Sequence, residues 1–154
     1  MNSGASLVLL DATGNKLIHS SSRGLPQFFL RKGVLDASKS LCEVLTGQTV
    51  TIADASSDSR IQYPEMTAKA GIVSILGVPV MFGGHAAGSI RVYAKEHCEF
   101  SGQDIAFVIT MANLAAVVLN SETFYQKKEE ANTLKNSIPT EVSVLRRARS
   151  VTFA

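Results

Sequence analysis

A single arginine, Arg91, interrupts an otherwise apolar run, GSIRVY at 88–93. In a strand, alternate side chains share a face, so Ser89, Arg91 and Tyr93 point the same way. A guanidinium buried on such a face needs an anion, which is either a ligand carboxylate or a protein Asp. His19 is a second candidate. Its ordinary state on a strand is neutral and hydrogen-bonded, and a ligand role is the less common use. Arg60, Tyr63 and Met66 fall in a polar, mixed segment of the kind that carries function, although surface packing is the commoner use of such residues. Cys42 sits beside Leu41 and reads as a small buried apolar group. His97 and Cys98 read as an exposed pair on a loop. Thiol chemistry needs a thiolate and a nearby resolving cysteine. Cys42 and Cys98 are the only cysteines, and they belong to different elements. No Ser-His-Asp order, phosphate loop or metal-spaced ligand group stands out.

The elements that must position these residues are legible in outline. Residues 5–11 read as a strand, 12–15 as a turn with Gly14, and 16–21 as the returning strand. The stretch 23–33 holds Gly24, Pro26 and Gly33, which makes it a loop with one helical turn near Phe28 and Phe29. Residues 36–45 read as a helix with Asp36 as N-cap, Leu41, Val44 and Leu45 on one face, and Gly47 as the stop. Residues 49–52 suit a short strand. Residues 54–71 suit a loop with a short helix after Pro64. The run 72–82 is apolar and β-branched, as a strand buried on both faces requires. Pro79 cannot donate to a ladder, so it belongs at an edge, a bulge or a strand end. Gly83 and Gly84 supply the positive φ of a hairpin turn, and 88–93 returns. Ser101 and Asp104 have the spacing of a capping pair in front of a final helix. The sum is an α+β layered domain, with about five strands in a mostly antiparallel sheet, helices packed on it and a long C-terminal helix.

Composition narrows the function classes. The chain has 154 residues, 45% hydrophobic and 18% charged, with a net charge of +2. That supports one domain with a sizeable core, at 1–125, and a helical extension with a patternless tail at 126–154. No basic face with interleaved aromatics is evident, which argues against a nucleic-acid partner. The two cysteines form neither a disulfide framework nor a zinc site, and fit a reducing compartment. The N-terminus lacks the basic region and long apolar core of a signal peptide. Residues 105–119 carry no charge but fall short of the roughly 20 residues of a membrane span, so a buried helix is expected.

That helix has two apolar stripes. Ile105, Val108, Ile109, Ala112, Ala116 and Leu119 form one, and Phe107, Met111, Leu114 and Val118 form the other. A sheet can bury only one of them, so the other must meet a second helix. This predicts a homodimer through 104–136. Beyond Glu122 the helix turns polar, with Phe124, Tyr125 and Leu134 loosely spaced, and Pro139 is expected to end it.

Taken together, these residues resemble the GAF domain, a small-molecule sensor fold related to PAS domains. The resemblance is carried by SILGVPV at 74–80, the turn at Gly83 and Gly84, GSIRV at 88–92, and Phe100-Ser101 opening the last helix. The stretch DSRIQYP at 58–64, followed by Gly71-Ile72, is similar to bacterial members attached to histidine kinases and other regulators. Family members usually carry a helix before the first strand, and here four residues precede Ala5. This implies either a fragment or a short form, and it agrees with the unmatched stripe. The resemblance implies a cytoplasmic regulatory module with a pocket between the sheet and its covering segment. Ser89, Arg91, Tyr93, His19, Arg60, Tyr63 and Cys42 are the candidates to line that pocket. The cyclic-nucleotide signature of the family is not evident, and the His97-Cys98 order reverses the phytochrome pigment attachment. The ligand is therefore left open, as is any cofactor. An output domain such as a histidine kinase is the implied partner. Two alternatives accompany this reading: a non-binding dimerisation scaffold, and a thiol enzyme like the GAF-fold free methionine sulfoxide reductase, whose grouped cysteines are missing here.

Overall fold

Alternation and tight turns build the sheet. In the computed structural model, which describes residues 3–137, strand β1 (Ser3–Leu10) runs antiparallel to β2 (Lys16–Arg23). The turn between them is fastened by Asp11, whose carboxylate accepts from the Thr13 hydroxyl and the Asn15 and Lys16 amides. After one helical turn, α1 (Gln27–Leu30), a two-residue strand β3 (Leu35–Asp36) pairs with β2. Strand β4 (Val50–Ile52), helix α2 (Pro64–Lys69), strands β5 (Ser74–Phe82) and β6 (His85–Ala94), and helix α3 (Gly102–Ser137) follow. The sheet is antiparallel with the order β3-β2-β1-β6-β5-β4. It has six strands where the sequence predicts about five, and the additional one is β3.

Several local expectations hold. Gly83 and Gly84 both adopt positive φ, 57° and 82°, in the β5–β6 turn. Pro79 lies beyond the short reach of β4, whose ladder covers Ile75 to Gly77, so its missing N–H is not needed there. Ser101 and Asp104 cap α3 reciprocally. The Asp104 amide donates to the Ser101 hydroxyl at 3.1 Å, and the Ser101 amide donates to the Asp104 carboxylate at 2.9 Å.

The helix predicted at 36–45 does not form. Asp36 instead ends β3, and its carboxylate accepts from the Ser38 amide and hydroxyl at 2.8 and 2.6 Å. Such local bonds offer the backbone an alternative to a helix. Leu41 then takes a left-handed conformation, φ 52°, before a 3-10 turn over Cys42–Thr46 that Gly47 closes at φ 90°.

The chain divides into two units between Val117 and Val118. In the first, one face of the sheet is covered by α1, the 3-10 turn and the segment around α2. Phe29, Leu41, Val44, Val50, Ile52, Ile75 and Tyr93 form the core there. The other face carries Leu76, Val78 and Val80, and Val108 of α3 borders it near Val92 and Leu76. Within α3 up to Val117, Val108 and Ala112 are buried and Ile105 and Ala116 half-buried, but Ile109, placed in the same stripe by the sequence, is 39% exposed. Phe107, Met111 and Leu114 are exposed. By length and composition alone α3 could cross a membrane, and only 11% of its apolar window is buried, so the expectation of a buried helix holds for Val108 and Ala112 and not for the helix as a whole. In the second unit the described residues continue the helix with mostly exposed side chains, Tyr125 and Leu134 among them. Pro139 and the tail lie outside the described residues.

Candidate functional site

The register of three strands sets up a polar strip on the covered face. Ser6 of β1 pairs with Arg91 of β6, and Arg91 pairs with Gly77 of β5. One step along, His19 of β2 pairs with Val8, which pairs with Ser89. The two-residue period thus brings Ser6, Ser89, Arg91, Tyr93 and His19 to one side. The prediction that Ser89, Arg91 and Tyr93 share a face holds, and all three are buried.

Arg91 is 4% exposed. Its Nη1 donates to Ser40 Oγ at 2.8 Å, its Nη2 to the Ser40 carbonyl at 2.9 Å, and its Nε to Ser89 Oγ at 3.2 Å. Every acceptor is neutral. No carboxylate among the described residues pairs with it, so the protein Asp that could have compensated it is not there. Burial pulls the guanidinium below its ordinary pKa, and the Tyr93 hydroxyl opposes that in part. The Tyr93 hydroxyl also shares a 3.2 Å hydrogen bond with Ser6 Oγ, and its ring meets Phe29 edge-on at 5.5 Å.

His19 is the anomaly. Both ring nitrogens are buried, and neither has a hydrogen-bond partner among the described residues. Buried polar atoms in native proteins are nearly always paired. Burial first, then the positive fields of Lys32 and Arg91, lower its pKa to about 4. Lys32 was not anticipated from the sequence. Its ammonium donates to the Phe29 carbonyl at 3.0 Å and stands 3.7 Å over the Phe29 ring. Burial, and then Arg91, bring its pKa down to about 8. Lys32 lies in the loop two residues beyond α1, where no periodicity marks it. Ser40 was also missed, because nothing in SKS marks it as an anchor.

The other candidates stand apart from this strip. Arg60 pairs with Asp58 two residues away and reaches the Thr51 carbonyl, so it braces its own loop. Tyr63 donates to the Val34 carbonyl at 2.6 Å, and Gln62 bridges Val34 and Asp36. Gly33 makes that approach feasible. Its φ is 135°, and a Cβ there would lie 2.7 Å from the Tyr63 hydroxyl oxygen. Met66, in α2, is half-buried. Cys42 is exposed, not the buried apolar group predicted, because it opens the 3-10 turn on its outer side. Cys98 is half-buried rather than fully exposed, and it borders the opposite face of the sheet beside Leu76 and Phe107. Among the described residues no group of side chains is arranged to hold a metal. A cleft of about 530 Å³ opens between β2 and the stretch 30–35, with His19 in its wall.

The GAF domain profile matches residues 2–120. The chain belongs to the GAF domain family. Solved structures agree on the fold. A domain assigned to a two-component sensor histidine kinase from Sinorhizobium meliloti superposes with a TM-score of 0.70 at 16% identity, over 81% of this chain and 84% of that one. The GAF domain of an Acinetobacter phosphoenolpyruvate-protein phosphotransferase gives 0.66 at 23% identity, over 80% and 74%. A type II free methionine-R-sulfoxide reductase from Thermoplasma acidophilum gives 0.63 at 21%, over 77% and 79%. No curated protein sequence matches. In this GAF domain the two thiols sit on elements that serve opposite faces of the sheet, which is not how an attacking and a resolving cysteine are placed.

Proposed function

We propose that this GAF domain is a regulatory module that binds a small molecule between the covered face of its sheet and the segment 24–71, and signals as a homodimer through α3. One observation carries the reading. A polar strip of Ser6, Ser89, Arg91 and Tyr93 lies buried on the covered face, and half-buried His19 beside it holds two ring nitrogens with no partner among the described residues. A purely structural core would leave apolar groups there, since an unpaired buried polar atom costs about 1–3 kcal/mol. Ligand sites, in contrast, hold a few convergent polar groups in an apolar setting. The exposed Phe107, Met111 and Leu114 support the dimer, since large apolar side chains side by side on one helix favour a partner. The two free cysteines fit the cytoplasm. The likeness to a domain assigned to a sensor histidine kinase supports an output domain of that type. Signalling requires that the ligand bind two helix arrangements with different affinity.

A second reading, a ligand-free dimerisation scaffold, is favoured by the buried apolar cluster that Phe29, Leu41, Val44 and Tyr93 form on the same face. Native mass spectrometry before and after mild denaturation separates the two. A dimer whose extra mass is released by denaturation supports the sensor. A bare dimer supports the scaffold, and a bare monomer removes the partner from both.

A further inference from the structure

The polar strip has one sign of charge. Arg91, Lys32 and His19 come from three different parts of the chain, namely β6, the loop after α1, and β2. Arg91 acts electrostatically on both of the others, so the three share one region. The cleft that reaches His19 has the same sign. Among the described residues, Lys16 and Arg31 are the charged ones lining the cleft, and no Asp or Glu lines it. Asp36, next along β3, is engaged by Ser38 and lies outside that wall.

Every polar group facing the strip donates or can donate. Arg91 has two N–H bonds beyond the three on Ser40 and Ser89, and the Tyr93 hydroxyl interacts with the same guanidinium. Lys32 has two beyond the one on Phe29. His19 has one as a neutral ring and two when protonated. A cation would be repelled here, and a neutral acceptor would leave the buried Arg91 and Lys32 without a counter-charge. An oxyanion accepts from them and also supplies the counter-charge that the two desolvated cations, Arg91 and Lys32, lack. The cleft's size suits a small acid.

We infer that the ligand of this pocket is a small oxyanion, a carboxylate or a phosphate, held by Arg91, Lys32 and His19 and admitted through the cleft between β2 and residues 30–35. The inference rests on the sensor reading above and narrows it to a chemical class.

The test is a titration of the full chain at pH 7 with inorganic phosphate in one arm and acetate in the other. It is followed by the His19 ring signals in NMR and by calorimetry. The expected result is saturable binding of at least one probe and a rise of His19's pKa by about 1 unit or more when it is saturated, a tenfold gain in proton affinity. Which arm binds tells phosphate from carboxylate. Lys32→Met, at a half-buried loop position, should weaken binding at least tenfold while melting no lower than the parent does. Arg91→Met should abolish it. Unchanged binding in Lys32→Met and Arg91→Met would overturn the proposal. So would an unmoved His19 titration with both probes at about 50 mM, well above a millimolar dissociation constant. A neutral compound released from the native protein would overturn the oxyanion while leaving the sensor reading standing.

Discussion

Arg91 faces dipoles where a buried cation ordinarily faces a carboxylate, and the consequence is read most directly at His19. Its folded pKa, about 4, lies below the 6.5 of an ordinary histidine. The unfolded chain therefore takes up this proton first as pH falls, and stability must drop between about pH 6.5 and 4. Lys32, lowered to about 8 from 10.5, acts at the other end: stability grows as pH rises through that interval. Asp11, Asp36, Asp54 and Asp104 are lowered from 3.8 by local hydrogen bonds, so their contribution is lost below that window. Without added anion, the melting temperature should fall by about 3–6 °C from pH 7 to pH 5. His19→Gln should flatten that slope, and an equal slope in both proteins would contradict the burial of an unpaired ring. Arg91 was legible in the sequence because a charge stood inside an apolar strand. Lys32 was not, since a lysine beside Gly33 in a loop carries no period to read.

Elements decide how rigid the roof is. The stretch around β3 and the start of α2 are pinned by the Tyr63 and Gln62 bonds to Val34 and Asp36. The close passage of Tyr63 over Gly33 sets a strict demand on that position. Gly33→Ala should cost about 1–3 kcal/mol in urea unfolding, from its positive φ and the contact with the Tyr63 hydroxyl. Tyr63→Phe should cost about 1 kcal/mol by losing one hydrogen bond. In combination they should cost less than their sum, because the second removes the atom that the new methyl meets. Strict additivity would show that the approach is not tight. The strands and the final helix were readable from alternation, turn glycines and a capping pair. The helix expected at 36–45 was not stopped by any breaker inside it. It failed because Asp36 and Ser38 satisfy each other locally and Leu41 turns left-handed, which periodicity does not report.

At the scale of the whole molecule, the exposed face of α3 in the first unit sets the state of association. Phe107→Glu with Leu114→Glu should convert a dimer to a monomer, halving the mass seen by light scattering and leaving the circular dichroism of the sheet unchanged. A parent protein that is already monomeric would remove this face as an interface. The family was legible because its signature lies in turns and strands. The ligand class was only half legible, since composition shows charges but not which of them lack partners. Ser40 points to a broader consequence. One of its two bonds to Arg91 comes from its carbonyl, which every amino acid possesses. The clasp on the arginine therefore belongs to the path of the chain and can be inherited without Ser40 itself. Relatives that have lost this serine can keep the same grip, and a motif search written in side chains would pass over them.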